Sequence, residues 1–361
     1  MNFRYSLTLI FILLAPRLAT GQSYSEKRTF QKNFRVNGEM SLEISNKYGT
    51  IHLTTWNKDS VAIRAEIEAS ASSQSKLGKM FEGINVSFSE SNYQIIAQTD
   101  FTQSIGMLFE SFKGMTSKII PYETRVQINY FVSLPENLNL KIVNKYGDIY
   151  MENNSADIKI SLSNGSLKAN MLNNASSLTL SFCDATINKI NKAKIDASFS
   201  EVVIGESDNL SISSVSGRFE LKQAGKIHAD SRRDKFFFGI LLSLDGDSYF
   251  TDFRIEELKN ELNMITKYGS LNADLIDKGI QAISLNTSYT DINLSFDPAA
   301  SYNLDIRHIN SSLTTPEKNA SLEKKVINEE KKENMTFGTV GKNPANVKVK
   351  IDANRGNIYI K

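Results

Sequence analysis

Thiols, prolines and histidines are scarce in this chain, and each shortage removes a class of explanation. A single cysteine, Cys183, leaves no internal disulfide framework and no multi-thiolate zinc site. The three histidines, His52, His228 and His308, show no metal-ligand spacing and are expected to be ordinary surface or corner residues. Only six prolines, with almost no helical periodicity, weigh against a βαβ enzyme fold. Charge of one sign is lacking as well. Lys plus Arg number 42 against 40 Asp plus Glu, a net +2, so no field calls for a nucleic-acid partner. No Gly-x-Ser-x-Gly, Walker-type or His-Glu-x-x-His motif occurs, and no cofactor or metal is implied. Stability is left to packing and backbone pairing.

What the sequence has instead is a repeat. In Leu140–Met151, taking Asn144 as zero, apolar residues stand four and two before (Leu140, Ile142) and five and seven after (Ile149, Met151), around a polar corner containing glycine. The same frame fits zero positions Asn46, Leu162, Phe182, Phe199, Ser214, Ser231, Thr266, Thr287, His308 and Ala353. A degenerate copy places Ile240, Leu242 and Leu244 before an Asp245-Gly246-Asp247 turn. Alternation on both sides of a fixed corner gives an inward apolar row and an outward polar row, and one rung cannot bury its inner row alone. The expected fold is therefore all-β, a single-stranded β-solenoid of about a dozen rungs. Glycine falls three after zero in Gly49, Gly147, Gly165, Gly217, Gly269 and Gly356, which suggests a corner needing positive φ.

Four regions follow from this frame. Residues 1–21 have the form of a cleaved secretory signal: Arg4, an apolar run from Leu7 to Ala15, and small residues at Ala19-Thr20-Gly21. Residues 22–54 form a polar lead and the first rung. The periodicity then lapses between Asn46 and Asn144, and residues 55–139 are expected to be an inserted β-rich cap, with a short helix near 72–82. Within it, Phe101–Lys118 carries Phe101, Ile105, Leu108, Phe109, Phe112 and Met115 near helical spacing. That segment either caps the first rung or acts as a lid, with membrane contact the lesser expectation. Residues 140–361 hold the remaining rungs, with a charged loop or short helix at about 316–338.

Asn46-Lys47-Tyr48-Gly49, Asn144-Lys145-Tyr146-Gly147 and Thr266-Lys267-Tyr268-Gly269, followed by alternating strands behind a signal segment, resemble the exported bacterial domain-of-unknown-function family described as putative adhesins. The resemblance covers roughly residues 35 to 361. It implies a non-catalytic, exported scaffold that binds a glycan, envelope polymer or protein in the periplasm, at the outer surface or in the medium. It implies no catalytic residue. An autotransporter is not expected, since Ile358–Lys361 still lies within a rung.

Two constellations are candidates for a binding surface. Asp184 and Glu201 stand two after zero in neighbouring rungs, one strand spacing or ~4.8 Å apart, a separation that suits Ca²⁺ binding or the acid and base of a polysaccharide-acting enzyme. A solvated edge is the plainer expectation. Arg232 and Arg233 precede Phe236-Phe237-Phe238, where Phe237 has outward parity and suits carbohydrate stacking or a protein contact. A role beside envelope-stress signalling is an alternative attached only by family association.

Overall fold

In Glu201–Val215 every buried apolar residue alternates with an exposed one, apart from the bend at Glu206–Asn209, and the β-branched residues Val202, Ile204 and Ile212 favour an extended backbone. The computed structural model describes residues 23–37, 40–103, 125–342 and 347–361. The proposed signal segment 1–21 and most of Phe101–Lys118 lie outside the described residues. Apart from one helix the described chain is nearly all β.

The central part is a parallel ladder in which the chain returns beside itself. Strand β8 (Asn139–Lys145) and the long run β9 (Ile149–Ser198) lead to β10 (Glu201–Val215), β11 (Arg218–Arg232), β12 (Lys235–Tyr249), β13 (Asp252–Ile276) and β14 (Ala282–Phe296). Register carries over from one pass to the next, Glu201 pairing with Arg218, Arg218 with Lys235 and Lys235 with Asp252, with local irregularities at Leu241–Ser243 and Ala273–Ile276. Inward residues therefore stack on their own kind. Phe219, Phe236 and Phe253 form one buried column, with centroids 4.7 and 5.1 Å apart. Ile204, Leu221, Phe238 and Ile255 form the next. No single pass could remove these rows from water, so each depends on its neighbours.

The first pass, β2 (Ser41–Lys47) and β3 (Ile51–Thr55), pairs in parallel with β8 and β9 on one side. Inserted strands cover its other side: β6 (Gln94–Phe101) lies parallel on β2, and β7 (Arg125–Leu134) parallel on β3. Outside these, β5 (Ile84–Glu90) pairs with β6, β4 (Ser60–Ala71) with β7, and β1 (Tyr24–Arg35) with β4, all antiparallel. The segment expected as a polar lead is thus largely the strand β1. Helix α1 (Gln74–Glu82) joins β4 to β5, capped by the Ser73 hydroxyl accepting from the Lys76 N–H at 3.3 Å, and buries Leu77, Met80 and Phe81.

At the far end the spatial order departs from the order of the chain. Strand β18 (Lys348–Ile360) lies between β14 and β15 (Tyr302–Thr314), parallel to both. On the outer side of β15 runs β17 (Glu333–Val340), antiparallel, followed by β16 (Ala320–Asn328). The charged stretch 316–338, expected as a loop or short helix, is mostly this hairpin. Almost all of β16 is exposed or half-exposed, so backbone pairing rather than burial holds it, and no apolar alternation marks it in the sequence.

The corner also differs from expectation. Positive φ falls on the residue before the glycine: Tyr48 (65°), Tyr146 (58°) and Tyr268 (57°). Of the six corner glycines only Gly356 has the expected positive φ, at 110°, and at all but Gly217 a neighbouring backbone carbonyl approaches too closely for a Cβ. A Cβ on Gly147 would stand 1.9 Å from the carbonyl oxygen of Gly49, and one on Gly49 1.9 Å from that of Ile128. Phe182 (56°) and Phe199 (49°) occupy this same positive-φ position, so the frame assigned to those two passes was slipped by two residues. A period-two pattern cannot resolve such a slip, and Cys183 and Ser200 replace the marking glycine there. The degenerate copy turns at Phe250 (58°) rather than at Asp245–Asp247, with Leu241 and Leu244 buried while Ile240 and Leu242 are exposed. The run from Phe236 to Leu244 is too uniformly apolar for parity to identify a face.

Valine in place of Gly147 should destabilise the protein by more than about 2 kcal/mol, because backbone must move to admit even a Cβ. Alanine in place of Gly78, where nothing lies within 4 Å of the new atom, should stabilise α1 by about 0.5–1 kcal/mol. Melting temperatures of the two variants should move in opposite directions.

Candidate functional site

At several corners a side chain donates to a backbone carbonyl, and it does so in two ways. Where glycine is replaced, a small polar side chain reaches back two residues: Cys183 Sγ to Ser181 O at 3.1 Å, Ser200 Oγ to Ser198 O at 2.9 Å, Thr290 Oγ1 to Ser288 O at 3.1 Å and Ser311 Oγ to Ile309 O at 3.0 Å. Cys183 is thus a buried stand-in for a hydroxyl, and burial pushes its thiol pKa up. Where glycine is kept, Asn46 Nδ2 donates to Ile128 O at 2.9 Å, and Asn144 Nδ2 to Gly49 O at 3.0 Å and Asp148 O at 3.1 Å. The asparagines of the repeated motif satisfy backbone, and are not ligands.

Asp234 stands at the same position but acts in the opposite sense, as an acceptor. Only 1% exposed, it accepts from Ser214 Oγ at 3.1 Å, Gly217 N at 2.5 Å, Ser231 Oγ at 2.7 Å and Arg232 N at 3.0 Å, tying two passes together. Within the charged run Arg232-Arg233-Asp234-Lys235, nothing in the sequence separated this carboxylate from its exposed neighbours.

The candidate residues are not gathered at one point. Asp184 and Glu201 are indeed partners in adjacent passes, four residues past the buried corner position rather than two, and both are exposed. Arg218 Nε stands 3.5 Å from Glu201 Oε1. Among the described residues, no group of three or more His, Cys, Asp or Glu is arranged to hold a metal. Arg233 sits at the outward corner position, Arg232 just before it, and Phe237 lies half-buried on the following strand between the rows of Glu220 and Arg254.

More aromatic surface lies on the corner itself. Phe182 and Phe199, 59% and 55% exposed, stack at 4.9 Å and 3°. Farther along, Phe250, Tyr268 and Tyr289 stack at 4.8 and 4.9 Å, Arg355 lies 4.9 Å over Tyr289, and Tyr249 stands edge-on to both Phe250 and Tyr268. Tyr48 stacks on Tyr146 at 5.4 Å near the other end. Each contact contributes about 0.5–1.5 kcal/mol and locks adjacent corners in register. A ring inside such a stack has both faces occupied, so it offers a partner its edge rather than a platform for a sugar. Tyr48, Tyr146 and Tyr268 were visible as corner residues, but the slipped frame turned Phe182 and Phe199 inward. A second stack, Phe131, His52 and Tyr150, with centroids 5.1 Å apart, borders an open groove of about 410 Å³. His52 is a ring in that stack, and its partner Phe131 belongs to the insertion, where sequence offers no register.

Two histidines are shifted in opposite directions. Asp245, 2.5 Å from His228 Nδ1, raises the pKa of that exposed imidazole. Burial lowers that of His308, whose Nδ1 faces Ser311 O at 3.2 Å and which Lys324 also disfavours as a cation.

No family model matches the chain, and no curated protein does. Solved structures similar to it include a putative cell adhesion protein from Clostridium sporogenes, 10% identical with a TM-score of 0.21 over 93% of this chain and 99% of that one. A putative adhesin from Bacteroides fragilis is 9% identical, with a TM-score of 0.29 over 92% and 97%. At those scores the superposition is too loose to transfer a role.

Alanine at Asp234 should cost roughly 3 kcal/mol by stranding donors from two passes. For His308 the folded pKa lies below the ordinary 6.5, so its contribution is full above that value and is lost as pH falls through the folded one. Melting temperature should therefore fall from about pH 7.5 to 5, less steeply in His308→Leu, since leucine fills the same position at Leu162 and Leu180. His228 has the opposite sign, contributing below the ordinary value and losing that contribution as pH rises through its raised one; its exposure keeps the effect small.

Proposed function

We propose that this protein is a non-catalytic, exported β-solenoid scaffold that binds a partner of the cell envelope or surface, a glycan or a protein, in an adhesin-like role. The observation that carries the reading is the corner edge: Phe182, Phe199, Phe250 and Tyr289 are each at least 44% exposed, and they stand in rows rather than singly. Exposed aromatics arranged in line mark a contact surface more than a solubility face. Support for the solenoid comes from the shared register in which successive passes pair in parallel around one corner. Support for export comes from the basic residue, apolar run and small residues at the start of the sequence. The reading of Asp184 and Glu201 as acid and base has their adjacency in its favour, but the Arg218 contact to Glu201 and the exposure of both carboxylates favour a simple charged surface.

Asparagine occupies the outward corner position at Asn164 and Asn310, so Phe182→Asn with Phe199→Asn, and separately Phe250→Asn with Tyr289→Asn, should preserve the fold. Binding of purified protein to isolated envelope polymers and to a glycan array should drop by about tenfold or more in at least one pair, at little change in melting temperature. Full retention by both pairs would remove the corner edge as the binding surface. A reporter enzyme active only after export, fused behind residues 1–30, should be active and lose the leader after Gly21.

A further inference from the structure

Three residues before the buried corner position, the outward residues of five successive passes are Lys159, Ser177, Lys194, Ser211 and His228. Five before it stand Asp157, Ala175, Lys192, Asn209 and Lys226, of which Ala175 is buried and the others face outward. The register is direct: Ser211 pairs with both Lys194 and His228, and Asn209 with both Lys192 and Lys226. Cations thus recur on every second strand, ~9.6 Å apart, with a neutral hydrogen-bonding residue between them. The last three members of each row line an open groove of about 430 Å³ whose walls also include Asn174, Ser176 and Asp245.

We propose that this groove binds a linear acidic polysaccharide laid along the stack, across the strands, with a carboxylate or sulfate on alternate sugars over the strand that carries Lys192 and Lys194 and then over the strand that carries Lys226. Among the described residues none of these three lysines has a carboxylate within ion-pair distance, whereas Lys141 is neutralised by Glu43 at 2.9 Å and Lys189 by Glu206 at 3.3 Å. Lys192 and Lys226 stand two strands apart in one row with Asn209 between them, which avoids the repulsion of like charges directly opposite, and Lys194 adds a second cation two residues along the strand of Lys192. The serines and asparagines between offer hydroxyls and amides to the intervening neutral sugars. Acidic residues frame the file: Asp196 and Asp230 run beside it one position before the corner, and Asp245 closes one end against His228. An acidic border disfavours a polymer with an anion on every unit, such as a nucleic acid, and tolerates one whose charges are confined to the lysine file.

This inference rests on the scaffold reading and names its partner class. Affinity electrophoresis of the purified protein should show retardation by hyaluronan, which carries one carboxylate per disaccharide, weaker retardation by polygalacturonate, and none by neutral dextran, with the effect fading as salt rises. Changing Lys192, Lys194 and Lys226 together to Gln should weaken hyaluronan binding by about tenfold or more at an unchanged melting temperature, while Lys189→Gln should stay within about twofold. Equal binding by the triple variant, equal retardation by dextran, or tighter binding of duplex DNA or phosphatidylserine vesicles would each overturn the proposal. Absence of any hyaluronan binding would also overturn it, while the corner-edge variants would still decide the scaffold reading by their own assay.

Discussion

Everything in this molecule depends on bringing one backbone against another at the corner. Successive passes turn in register there, with Phe199 N bonded to Val215 O at 3.0 Å, Ser216 N to Arg232 O at 2.9 Å and Arg233 N to Tyr249 O at 2.9 Å. So close an approach leaves no space for a Cβ beside the neighbour's carbonyl in the glycine corners, and elsewhere admits only a small side chain able to cap its own strand. Glycine, serine, threonine, cysteine and one aspartate are the solutions adopted. Once the corner is fixed, strand parity, the buried phenylalanine column and the outward rows follow.

The repeat was legible because period-two alternation and a turn signal are both local. Strand pairs such as Leu140 with Ile158 and Ile142 with Ile160 follow the spacing read from the residues. What local pattern could not supply was phase where the turn signal fails, as at Phe182 and Phe199, or face where apolar residues run together, as from Phe236 to Leu244. The physical reason for the glycines was also hidden, since a carbonyl 1.9 Å from a would-be Cβ belongs to a residue 98 positions away, in Gly49 and Gly147. Hairpin β16–β17 lay outside the pattern altogether, being held by backbone pairing in a charged segment.

Surface residues are sorted in a way that composition did not disclose. Corner aromatics stack on one another and so reinforce the ladder, leaving ring edges outward. The asparagines of the repeated motif, which look like polar ligands, are spent on carbonyls. Charge that is nearly balanced over the whole chain is locally sorted into files, because every position of a pass is multiplied along the stack. A net value of +2 therefore coexists with a lysine file and an adjoining acidic one. Asp184 and Glu201 illustrate the converse: their adjacency followed from the repeat, but their neighbour Arg218 followed from it equally.

Strand β18 sits between β14 and β15 although the sequence places it after both. In a chain that emerges from its N-terminal side first, passes up to β14 can each template the next as they appear. The C-terminal end cannot take its final form in that way, because β15 and its hairpin must wait, or pair provisionally with β14, until Lys348–Ile360 arrives and parts them. Assembly of that end is an insertion rather than an addition. A frameshift shortly before Lys348 would then remove an interior layer, leaving a gap one strand wide that only rearrangement or a borrowed strand could close.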